Sequence, residues 1–278
     1  MTQATARPAA LALCNVLPAE SALAMSRRTP RNGSTATVLL VHGAFADASM
    51  WAGVIAELQA AGIGVIALAN PLRGLASDAA YIASAADEID GPVILAGHCY
   101  GGAVITAARV AGNVVGLVYV AGFALDEGES ALDITDRFPG SQLPPSLRPV
   151  TFCGINGAPG VELYIDREAF PHVFAGDLPG RTAAAAAAAQ RPITAAAFEE
   201  KSQAAAWKKI PCWYVIATTD LLIPVGAQRF MAQRAGAGTL EVRASHAIAM
   251  TQSAVVAGQI TAAVSAVRKA RPDRHGWP

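Results

Sequence analysis

Residues 92–102 read Pro92-Val93-Ile94-Leu95-Ala96-Gly97-His98-Cys99-Tyr100-Gly101-Gly102. A continuous apolar run over 92–97 meets a glycine-flanked turn, and a helical pattern over 100–111 follows. The reading is strand, tight turn, helix, with a cysteine at the apex. An unbroken apolar strand is covered on both faces, as strands of parallel sheets are. The same pattern repeats outward. Upstream lie a strand over 37–42, a helix over 49–61 with Asp47 or Ser49 as cap and Gly62 as stop, a strand over 63–68 and a helix over 75–88. Downstream lie a strand over 114–120 and then, after a break, a strand over 212–217, a helix over 225–235, a strand over 240–243 and a helix over 250–269. Strands without polar alternation, separated by helices, predict an α/β fold: a mostly parallel central sheet with helices on both faces.

The break covers 125–207. It holds several prolines and glycines, a short aromatic strand at 161–165 and seven consecutive alanines at 183–189. Alanine is the strongest helix former, so 182–190 is expected to be helical, with Thr182 as its cap. The expected organisation is a core of 36–124 and 208–270, interrupted by a small, mainly helical lid at 125–207. Residues 1–35 are expected to form a disordered extension and 271–278 a tail.

Composition narrows the function. The 278 residues carry no net charge, 53% are hydrophobic and 15% charged, which excludes a disordered chain and gives no electrostatic case for nucleic acid or an anionic membrane. The longest uncharged stretches, 91–108 and 244–267, contain turn residues or a polar helix face, and read as buried elements rather than membrane spans. Residues 9–24 make only a poor export signal, so a cytoplasmic location is expected. Cys14, Cys99, Cys153 and Cys212 show neither C-x-x-C pairing nor zinc-ligand spacing, so no disulfide framework or metal is expected. Three read as inert thiols. Cys99 does not.

Gly97-His98-Cys99-Tyr100-Gly101 has the form of a nucleophile elbow, G-x-S-x-G, with cysteine for serine. The apex holds the nucleophile at a helix N-terminus, where backbone N–H groups and the dipole favour an anion. A nucleophile needs a base, and the base an orienting acid. Asp220 follows the strand 212–217, and His246 follows the strand 240–243, so both lie on strand-end loops. Asp126, just past the strand 114–120, is the alternative acid. His42-Gly43-Ala44-Phe45 follows the first strand. Ala44 and Tyr100 are the expected backbone donors of an oxyanion hole, with Phe45 as the alternative to Ala44. His98 and His42 read as structural, His42 as a brace for the oxyanion loop. His172 lies in the lid, and His275 carries no signal. Trp51, Tyr100, Phe123, Tyr164 and Trp213 read as core before pocket.

On these residues the chain resembles the α/β-hydrolase superfamily over about 37–270. The resemblance is carried by Val41-His42-Gly43-Ala44-Phe45, Gly97-His98-Cys99-Tyr100-Gly101-Gly102, Ala217-Thr218-Thr219-Asp220 and Ser245-His246. The H-G-A-x opening and small lid are similar to the methyl-esterase and hydroxynitrile-lyase branch and to many bacterial hydrolases. Cys99 departs from the serine of most members. Dienelactone hydrolases resemble this chain in using cysteine, but they lack a lid like 125–207.

The resemblance implies a cofactor-free enzyme acting on a small molecule. The leading expectation is hydrolysis of a small, largely apolar ester, lactone or thioester by a Cys99-His246-Asp220 triad through an acyl-enzyme. The alternatives are acyl transfer or cyclisation from the same acyl-cysteine, lyase chemistry like that of hydroxynitrile lyases, and a small-molecule receptor without catalysis.

Overall fold

The computed structural model describes residues 36–108, 112–154 and 157–270. The expected extension 1–35 and tail 271–278, with Cys14 and His275, lie outside these residues. From the N-terminal side, β1 (Thr37–Val41) leads into a 3-10 turn at Ala48–Trp51 and then α1 (Ala52–Ala60). Asp47 caps the turn by accepting the Ser49 N–H at 2.8 Å. The helix expected from 49 thus begins as a tighter turn. Gly62 ends it in the left-handed region, at φ 72°. There follow β2 (Val65–Leu68), α2 (Leu75–Asp87), β3 (Val93–His98), α3 (Tyr100–Ala107) and β4 (Val114–Val120). α3 stops at Ala107, short of the expected 111, because Ala108 is extended, at ψ 120°.

The segment 125–207 carries α4 (Ala131–Arg137), α5 (Leu143–Ser146), β5 (Leu147–Cys153), β6 (Pro159–Ile165), α6 (Phe170–Val173), α7 (Gly180–Ala189), β7 (Ile193–Thr194) and α8 (Ala195–Glu199). Its helices are accompanied by an antiparallel sheet, β5-β6-β7, of which the sequence showed only 161–165. The alanine run is helical as expected, but Thr182 is not its cap. Pro179 holds that position, and its carbonyl accepts the Ala183 N–H at 3.0 Å, so Thr182 lies inside the first turn.

The chain then returns through β8 (Cys212–Ala217), α9 (Val225–Arg234), β9 (Gly238–Val242), α10 (Ile248–Thr251) and α11 (Ser253–Ala270). The last expected helix is therefore two, broken at Gln252, where ψ turns to 41°.

The main sheet has the order β2-β1-β3-β4-β8-β9, and every pairing is parallel. Alternate residues feed two cores. Leu39, Val41, Leu95, Leu117, Tyr119 and Ile216 pack with α2, α3, α9 and residues of 125–207. Val38, Leu40, Ile94, Val118 and Val215 pack with α1 and α11. Each fully buried Val, Leu or Ile contributes about 1.5–3 kcal/mol, so this two-sided burial dominates the stability. Among the described residues, no helix is long and apolar enough to cross a membrane.

Candidate active site

The strand order reverses at β1 and β3. The chain leaves β1 for β2 on one side, and β3 for β4, β8 and β9 on the other. Such a switch point opens a crevice at the carboxyl ends of the strands. The oxyanion loop leaves β1 there, and Cys99 leaves β3 beside it. Asp220 and His246 follow β8 and β9 at the same edge, because all strands run parallel.

Cys99 has φ 52° and ψ −123°, a conformation that an L-residue adopts only at a cost of roughly 1–3 kcal/mol. Close packing enforces it. A Cβ on Gly101 would lie 2.3 Å from the Val41 carbonyl oxygen, and one on Gly43 would lie 2.5 Å from Cβ of Cys99. Only glycine fits at either position. The Cys99 carbonyl accepts the N–H groups of Gly102 at 2.9 Å and Phe123 at 3.0 Å, which fixes the turn from both sides.

His246 is fully buried, and its Nδ1 lies 2.7 Å from Oδ2 of Asp220. Asp220 also accepts the N–H groups of Leu222 at 2.7 Å and Ile223 at 3.0 Å on Oδ1, and Nε2 of Gln228 at 2.9 Å on Oδ2. Gln228 is itself fully buried and donates to the Ile223 carbonyl, while its Oε1 accepts the Ala217 N–H at 3.0 Å. Sequence reasoning missed it. Nδ1 of His246 is thus the donor, and Nε2 is left for the reacting side. Nε2 makes no hydrogen bond of full geometry among the described residues. Burial alone would lower the His246 pKa. The Asp220 carboxylate and the Cys99 sulfur overcome it and raise the pKa to about 10. The sulfur is therefore close enough to act on the ring. Asp126 lies elsewhere, on the surface, paired with Lys208 at 2.5 Å.

The other two histidines of the site are braces. His42 Nδ1 donates to the Gly43 carbonyl at 2.9 Å, and its Nε2 accepts the Asn70 N–H at 3.0 Å. His98 Nε2 donates to the His246 carbonyl at 2.9 Å. Burial keeps both imidazoles below their usual pKa, and therefore neutral at pH 7. Phe45 N–H is taken by the Arg191 carbonyl at 2.8 Å, so of the two expected donors in that loop Ala44 is the remaining candidate. Tyr100 begins α3, and its N–H is one of the orphan donors of a helix N-terminus.

Residues 38–259 match the model of the alpha/beta hydrolase family. The chain belongs to that family. Among solved structures it is similar to a pyrethroid hydrolase from Sphingobium faniae JZ-2, with 22% identity, a TM-score of 0.68 and coverage of 84% of this chain and 98% of that one. Polyneuridine aldehyde esterase aligns with 17% identity and a TM-score of 0.70, over 82% of this chain and 99% of its own. A methylesterase from Arabidopsis aligns with 17% identity and a TM-score of 0.67, over 83% and 99%. At these identities the likeness is one of fold. No curated protein matches the sequence.

In this α/β-hydrolase the segment 125–207 reaches the site directly. Phe174 sets its ring edge-on to His246 at 5.0 Å between centroids, and its carbonyl accepts the Ala247 N–H at 3.0 Å. Asp177 accepts the Ser245 N–H at 2.9 Å, the Ser245 hydroxyl, and the Thr251 hydroxyl at 3.1 Å. Cys99 is left 5% exposed. A small apolar cleft of about 50 Å³ is bounded by Phe45, Met50, Phe170, Phe174 and Met250. His172 faces solvent, and Tyr164 donates to Glu162. Trp213 lines a separate cleft of about 470 Å³ at the opposite end of the sheet, with Val114, Pro211 and Val267.

Proposed function

We propose that this α/β-hydrolase cleaves small, largely apolar esters with good leaving groups, thioesters or strained lactones through an acyl-Cys99 intermediate. The observation that carries the reading is the buried His246, hydrogen-bonded to Asp220 on one side and under the influence of the Cys99 sulfur on the other. His246, whose pKa is raised by the Asp220 carboxylate and the Cys99 sulfur, is the acceptor for the thiol proton, and the attacking form is the thiolate beside an imidazolium. The Cys99 sulfur attacks the carbonyl carbon, and the oxyanion is held by the Ala44 and Tyr100 N–H groups. Collapse breaks the bond to the leaving group, which takes the His246 proton, and a thioester remains. With the sulfur no longer anionic, His246 loses one of the two influences that raised its pKa. It then accepts a proton from water, whose hydroxide oxygen attacks the thioester. The second collapse releases the acid and the Cys99 thiolate, beside the imidazolium that His246 became on taking the proton from water.

The choice of leaving group follows from the nucleophile. In the tetrahedral intermediate, thiolate leaves more readily than an alkoxide, so a simple alkyl ester returns to substrate. Phenols, enols, thiols and strained ring oxygens leave in the forward direction. The apolar character follows from Phe123, Phe174, Leu222 and Ile223, which are packed in the same core as Cys99. Residues 125–207 act as the cover under which this chemistry runs, and the structural relatives named as hydrolases and esterases support the ester class. The near-complete burial of Cys99 also favours a second reading, acyl transfer from the same thioester to an organic nucleophile.

The test is turnover of a p-nitrophenyl ester of a short acid. The wild type is expected to release nitrophenol, and Cys99→Ala to lose at least about 10³-fold in kcat/KM. An inert, folded wild type, or an active Cys99→Ala, overturns the reading.

A further inference from the structure

Tyr100 follows the nucleophile, yet its phenol ends far from the chemistry. The residue is 1% exposed, and its hydroxyl donates to Oδ2 of Asp78 at 3.0 Å. Asp78 is fully buried on the first turn of α2. Its other donors are backbone groups, Arg73 N–H at 3.1 and 3.3 Å and Gly74 N–H at 3.5 Å. The Arg73 backbone is pinned in turn. Thr194 on β7 donates its hydroxyl to the Arg73 carbonyl at 2.9 Å and its N–H to the Leu72 carbonyl at 3.1 Å. The Arg73 guanidinium pairs with Glu162 on β6. A buried carboxylate is costly, and an apolar pair of the same shape would pack here at less cost. Burial, reinforced by the Asp78 carboxylate, pushes the Tyr100 phenol far above its usual pKa, which keeps it a donor.

We propose that Tyr100 and Asp78 are positioning residues for the oxyanion hole. The inference rests on the acyl-enzyme reading above. The Tyr100 N–H directly follows the strained φ of Cys99, and its direction sets where the oxyanion can sit. The ring is a lever about 6 Å long, anchored at its far end, so the peptide plane at its near end cannot rotate without breaking the bond to Asp78.

The test separates the oxyanion hole from the nucleophile. Iodoacetamide alkylates Cys99 without forming an oxyanion, whereas ester turnover and capture of an apolar trifluoromethyl ketone both need one. In Tyr100→Phe, alkylation is expected to stay within about twofold of wild type, while kcat and ketone affinity fall together by roughly 10- to 100-fold at a nearly constant KM. Asp78→Asn keeps an acceptor for the phenol and is expected to retain most of the activity, whereas Asp78→Ala is expected to behave like Tyr100→Phe. Unchanged kcat in Tyr100→Phe overturns the proposal, and so does a parallel loss of alkylation and turnover, which marks a merely structural bond. If Asp78→Ala fails to fold, Tyr100→Phe decides alone. A wild type that forms no acyl adduct on Cys99 overturns the function itself. An adduct with an unaffected Tyr100→Phe overturns only this inference.

Discussion

At the scale of single residues, the site is a charge arrangement built from three strand-end loops. Asp220 spends one oxygen on two backbone N–H groups and the other on Gln228 and His246. Asp220→Asn is expected to cost roughly 10²- to 10⁴-fold in kcat, read by steady-state kinetics, because it removes a raising influence on His246 and the tautomer control. Gln228→Leu leaves a buried carboxylate one donor short, and a loss of about tenfold in kcat is expected. The His246 pKa lies above its unfolded value. Its contribution to stability is therefore complete below about pH 6.5 and is lost as pH rises toward about 10. Melting temperature measured from pH 7 to 10.5 is expected to fall more in wild type than in His246→Gln. Cys99 and Asp220 were legible as candidates because each closely follows an apolar strand, and His246 because it follows the last strand, in the order nucleophile, acid, histidine. Gln228 and Asp78 sit on helices, where a polar residue is read as solvated. Both lie on a buried stripe, Gln228 among Ala227, Met231 and Ala232, and Asp78 among Leu75, Ala79 and Ile82. A polar side chain on an apolar helix face was the available signal.

At the scale of elements, the elbow is a packing problem solved by glycine. Gly101→Ala puts a carbon against the Val41 carbonyl of β1 and is expected to cost several kcal/mol and most of the activity. Gly62→Ala, by contrast, meets nothing within 4 Å and carries only the left-handed penalty of φ 72°, about 1–2 kcal/mol. Urea denaturation of the two variants separates steric from conformational cost. The core strands were legible because two-sided burial leaves an unbroken apolar run. β5 was not. It contains Pro149, lies at the edge of its sheet and is largely exposed, so neither propensity nor periodicity marks it. Its partner β6 showed only its more apolar half.

At the scale of the molecule, residues 125–207 are tied to three loops around the candidate site. Arg191 takes the Phe45 N–H of the oxyanion loop, Asp177 and Phe174 hold the histidine loop, and Thr194 and Glu162 hold the loop before α2. No sequence pattern announces such long-range ties, because they depend on where two distant loops meet. Asp177→Ala is expected to speed amide exchange at Ser245 and in 170–177, measured by hydrogen exchange with mass spectrometry, and to lower kcat several-fold by loosening His246. The central claim is covalent catalysis by Cys99. The most direct measurement is mass spectrometry of the protein quenched during turnover of a p-nitrophenyl ester, with the modified peptide sequenced. The account predicts one acyl group, on Cys99, that accumulates further when His246→Gln slows deacylation. Turnover with no adduct, or an adduct on another residue, would contradict it.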